Sequence, residues 1–129
     1  MAESIPENWA NLAQYDLDTA SAMLRSDRYL YVLFCCQQAA EKMLKAIIAE
    51  RAGECPPRTH NLPELAKMVG EPLDEDQATL MDRLTDYYIK SRYSMEIPAL
   101  SKNIGEQQAS HFLRRTEEFV QWLSSKLPS

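Results

Sequence analysis

Glycine is scarce, three residues in 129, so few turns that demand a positive φ exist in this chain. Cysteine is equally sparse: Cys35 and Cys36 are adjacent and Cys55 stands apart. An odd count without zinc-type spacing excludes a disulfide framework or zinc site and points to a reducing compartment, where such residues serve as small hydrophobes. On a helix Cys35 and Cys36 project about 100° apart, which sends one to the core and the other to the surface. No apolar run approaches the ~20 residues that cross a bilayer, and the opening MAESIPENW lacks the basic-then-apolar order of a secretory leader. The expectation is a cytoplasmic protein with no membrane partner. Positive charge is in deficit, 14 Lys and Arg against 19 Asp and Glu, for a net charge of −5. Bulk electrostatic attraction to nucleic acid is thereby excluded, and only local basic clusters could hold phosphate.

Several chemistries are missing their residues. There is no glycine-rich phosphate loop, nucleophile elbow or HExxH. A di-iron bundle needs Glu-x-x-His pairs, but the residues three before His60 and His111 are Pro57 and Gln108. Asp74-Glu75-Asp76 lacks the glycine and glutamate spacing of a calcium loop and reads as a helix start. No metal and no cofactor is expected.

What the chain does have is helix. Ala, Leu, Glu, Lys, Gln and Met fill its long segments, and its length suits one domain over 1–129, able to bury a core without disulfides. A first helix spans about Pro6 to Leu24, with Trp9, Leu12, Ala13, Leu17, Ala20, Met23 and Leu24 in one stripe. Asp27 is then placed to cap a second helix, about Arg28 to Arg51, with Gly53 as its C-cap. On this helix Tyr29, Val32, Cys36, Ala40, Met43 and Ile47 make an apolar arc, opposed by Gln38, Glu41, Lys42 and Lys45. Tyr31, Phe34 and Cys35 add apolar surface opposite that arc, more than one bundle contact requires. After GECPPRTHN, a short helix is capped by Asn61 with Glu64 in capping-box position and ends at Gly70. A fourth runs from Asp74 to about Arg92, and a fifth from about Ile104 to Lys126. The pattern predicts an all-α, up-down four-helix bundle with an extra short helix.

The run QQAAEKMLKAI, Gln37 to Ile47, resembles the signature of the HEPN family, small helical domains named for nucleotide binding in higher eukaryotes and prokaryotes. Three further features agree in order and spacing: Tyr15-Asp16-Leu17 with Ala20, Thr59-His60 with Leu62, and the helix end YYIKSRYS from Tyr87 to Ser94. The resemblance covers almost the whole chain. It implies a four- or five-helix bundle, a homodimer built on long helices, and pairing with a small nucleotidyltransferase, often as a toxin–antitoxin system. Some members are metal-independent ribonucleases that use an Arg, four to six residues, then a His. Here the arginines at 25, 28, 51, 58, 83, 92, 114 and 115 and the histidines at 60 and 111 never give that interval.

The candidate nucleotide- or phosphate-binding residues are Lys42, Lys45, Arg58, His60, Arg92 and Tyr93, because a phosphate site needs convergent donors. Each has a plainer reading: His60 as a loop-fixing hydrogen-bond group, and Glu41 with Lys45 as a surface ion pair. Tyr31, Phe34, Cys35 and Gln38 are the expected dimer interface. The functional expectation is a non-catalytic module that homodimerises and engages a nucleotidyltransferase or a nucleotide. The alternatives are a ribonuclease with an altered site built on Arg92 and His60, acting on RNA, and a purely structural bundle.

Overall fold

The computed structural model describes residues 4–91 and 102–128. Among these, five α-helices and no strand are present: α1 (Ile5–Arg25), α2 (Tyr29–Ala52), α3 (Leu62–Val69), α4 (Glu75–Lys90) and α5 (Glu106–Ser124). The all-α fold expected from the sequence is the fold observed.

The caps show how local chemistry sets these boundaries. The Ser4 side chain accepts from the Glu7 N–H, and the proline at the start of α1 costs nothing where its N–H would be unpaired anyway. Gly53 and Gly70 close α2 and α3 in the left-handed conformation, with φ of 69° and 80°. Asp74 and Gln77 form a reciprocal capping box for α4. Two expectations are corrected. Asp27 does not cap α2: it sits at φ 59° and its carboxylate accepts from the Tyr29 hydroxyl, while Arg28 takes the cap position without a side-chain bond. Glu64 does not complete the box at α3, because it accepts from the Thr59 hydroxyl instead.

The four long helices alternate in direction. Trp9 lies over Lys45 and Asp16 pairs with Lys42, so α1 and α2 run antiparallel. Leu62 donates to Thr85 and Arg51 to the Val69 carbonyl, which sets α3 parallel to α2 and antiparallel to α4. Tyr87 packs on Phe112 and Arg115 pairs with Asp76, which turns α5 back against α4. The helix α2 is central: 15 of its 24 residues are buried, too many for one amphipathic face, because it packs against all four others. Phe119, Leu33, Leu44, Ile47, Leu62, Leu65, Met81, Leu84 and Leu123 fill the core.

The segment 53–61 positions the site. It leaves the C-terminus of α2 and returns along that helix until His60 meets Glu41. Twelve residues of helix rise about 18 Å, and seven fully extended residues span about 23 Å. The segment is therefore long enough to bring His60 back to Glu41.

Candidate functional site

Gln37, Glu41 and Lys45 recur at four-residue intervals on α2 and so share one face. All three are buried. Lys45 Nζ donates to Glu41 Oε2 at 3.0 Å and lies 5.6 Å from the centroid of the Trp9 ring. The other carboxylate oxygen, Oε1, takes Gln37 Nε2 at 3.1 Å and His60 Nδ1 at 2.8 Å. Gln37 Nε2 also reaches the His60 carbonyl at 2.9 Å, and Gln38 Nε2 donates to Gln37 Oε1 at 3.0 Å. Among the described residues no buried side-chain nitrogen or oxygen lacks a partner, as the cost of an unpaired buried polar group demands. The reading of Glu41 and Lys45 as a surface pair is thus corrected: their side chains are 5% and 7% exposed. Apolar residues flank them on both sides along α2, and Trp9 and the returning 53–61 segment cover them.

His60 is the open end of this ladder, with half of its side chain exposed. A carboxylate oxygen only accepts, so Nδ1 carries the proton shared with Glu41. The Tyr88 ring packs beside the imidazole at 5.3 Å, and Phe34 stacks on Tyr88 at 5.5 Å. The Thr59 hydroxyl accepts from the Asn61 N–H, and the Asn61 side chain caps α3, so both neighbours of His60 are held as well.

The remaining candidates disperse. Lys42 faces α1 and pairs with Asp16 at 2.7 Å, away from His60. Lys45 is committed to Glu41. Arg58 is exposed two residues before His60. Arg92 and Tyr93 lie outside the described residues. The expected dimer residues share one face of α2 and none of them is buried: Tyr31 is 56% exposed, Phe34 stacks on Tyr88, Gln38 bonds to Gln37, and Cys35 is half-buried near Asp16 and Lys42. Burial, with the Asp16 charge adding to it, pushes the Cys35 thiol up to about 11. Burial pushes Cys36 to about 12 against a hydrogen bond with Thr116. Neither is a thiolate near neutral pH, so neither is a nucleophile.

Sequence reasoning did not join Gln37, Glu41 and Tyr88 to His60. Their signal was available in part: Gln37, Glu41 and Lys45 share a face on a helix too apolar on both flanks to leave them in water. Among the described residues no group of three or more His, Cys, Asp or Glu could hold a metal, and no helix is long and apolar enough to cross a membrane. The arrangement offers one oriented imidazole beside an aromatic wall, with a cation close by in the chain.

The HEPN domain family model matches residues 6–126. Two solved structures are similar. TT1696 from Thermus thermophilus superimposes with a TM-score of 0.80 at 24% identity, covering 97% of this chain and 100% of that one. ST0689, an archaeal HEPN homologue, gives a TM-score of 0.77 at 22% identity over 96% of this chain and 98% of its own. No curated protein matches the sequence.

Proposed function

The chain belongs to the HEPN domain family, and from that premise we propose a homodimeric, non-catalytic module that binds a nucleotide at the His60 face and engages a nucleotidyltransferase partner. The observation that carries the binding reading is the Glu41–His60 hydrogen bond, which holds a half-exposed imidazole in one orientation over buried structure. A preorganised group loses little freedom when it meets a ligand. Arg58 supplies a phosphate contact from the same segment, and the partly exposed Phe34, stacked on the buried Tyr88, supplies an aromatic edge. Lys42 and Lys45 drop out of the ligand set because each already serves a carboxylate.

The non-catalytic reading rests on the missing Arg…His interval, since acid–base cleavage of RNA needs two groups within reach of the reacting oxygens. The oriented imidazole keeps the ribonuclease reading as the alternative, because a carboxylate-held histidine is a competent base. The nucleotidyltransferase partner, and with it a toxin–antitoxin pairing, is what family membership suggests. The partly exposed stripe of Tyr31, Phe34, Cys35 and Gln38 on α2 supports a twofold interface.

Calorimetric titration of AMP into wild type and into His60→Ala tests the binding reading. Binding in wild type, weakened about tenfold in the variant, supports it, and equal binding or none refutes it. Cleavage of RNA without added metal, lost in His60→Ala, would replace the binding reading with the ribonuclease one. Sedimentation of wild type against Tyr31→Glu tests the dimer: only the variant should be monomeric at micromolar concentration.

A further inference from the structure

The polarity of His60 decides which part of a ligand it meets. Its Nδ1 points at Glu41 Oε1, a buried acceptor held on its other side by Gln37. The two imidazole nitrogens diverge across the ring, so with Nδ1 turned into the protein, Nε2 is turned outward on a side chain that is half exposed. A neutral imidazole whose proton is on Nδ1 has an acceptor at Nε2. An acceptor repels a phosphate oxygen and takes an O–H or N–H donor.

Resting on the nucleotide reading above, we propose that His60 Nε2 recognises a ribose hydroxyl, and that the site distinguishes ribonucleotides from their deoxy counterparts. Phosphate falls to the Arg58 guanidinium, whose donors suit it. The base is left to the rim of the Phe34–Tyr88–His60 aromatic run. Glu41 is the positioning residue: its charge and burial fix the tautomer and touch no ligand.

The test has two arms at pH 8. Long-range ¹H–¹⁵N correlation on the free wild-type protein reads the His60 tautomer directly, with no ligand or variant involved. A protonated Nδ1 and an unprotonated Nε2 are expected, and the reverse overturns the proposal. Titrations with AMP, 2′-deoxy-AMP, 3′-deoxy-AMP and inorganic phosphate then read the ligand. Loss of one hydroxyl should weaken binding about fivefold to tenfold, the scale of one net hydrogen bond. His60→Gln, which keeps an acceptor, should retain part of that discrimination, and His60→Ala should abolish it. Equal affinity for all three nucleotides, with shifts still at His60, overturns the hydroxyl proposal and leaves nucleotide binding standing. Absence of AMP binding overturns both.

Discussion

Glu41 and His60, 19 residues apart in sequence, meet at 2.8 Å, and their contact fastens the far end of the 53–61 segment to the middle of α2. The same carboxylate neutralises Lys45. One buried side chain therefore serves the core of the bundle and the orientation of its surface histidine.

Removing that carboxylate should cost more than removing the histidine. Glu41→Ala leaves the Lys45 ammonium buried beneath Trp9 without its counter-charge and frees His60. Breaking a buried pair from one side costs about 3–5 kcal/mol, whereas His60→Ala loses one half-exposed bond worth about 1 kcal/mol. Urea denaturation should rank the two variants in that order. Equal losses would mean that Lys45 reaches water.

The three thiols should react at separate rates. Cys55 is exposed and should be modified first by iodoacetamide at pH 8. Cys35, held up to about 11 by burial and the Asp16 charge, should follow slowly, and Cys36, at about 12, only on unfolding. Mass spectrometry of the labelled peptides reads this order, and early labelling of Cys36 would contradict the packing of α2 against α5.

Acid should find Glu71. Its carboxyl lies below the ordinary value of 4.5, chiefly through the hydrogen bond from Arg51, with Lys126 and the Arg51 charge adding to it against desolvation. A lowered folded-state value gives stability that is present above the unfolded value and disappears as pH falls through the folded one. Glu71→Gln should therefore melt below wild type at pH 7, and the gap should close under acid conditions. A gap that persists at pH 2 would assign the loss to packing.

Helix content and boundaries were legible because they follow from short-range chemistry: apolar residues every three or four positions, Asn61 and Asp74 before their helices, Gly53 and Gly70 after them. The inward turn of Gln37, Glu41 and Lys45 was less so. Four-residue spacing places them on one face, but what covers that face comes from Trp9 on α1 and from a segment doubling back after α2. His60 was legible as a residue of interest and not as half of a pair. Lys42 shows the converse, since its partner Asp16 sits 26 positions earlier and no local pattern joins them.

Backbone and side-chain NMR shifts during an AMP titration are the sharpest test of the proposed nucleotide site on the His60 face. Resonances of Arg58, His60, Gln38 and Tyr88 should move together and saturate below millimolar ligand, with Lys42 unmoved at the α1 seam. Shifts confined to other surfaces, or none at millimolar AMP, would contradict it and leave the Glu41–His60 contact as a fastening for the loop alone.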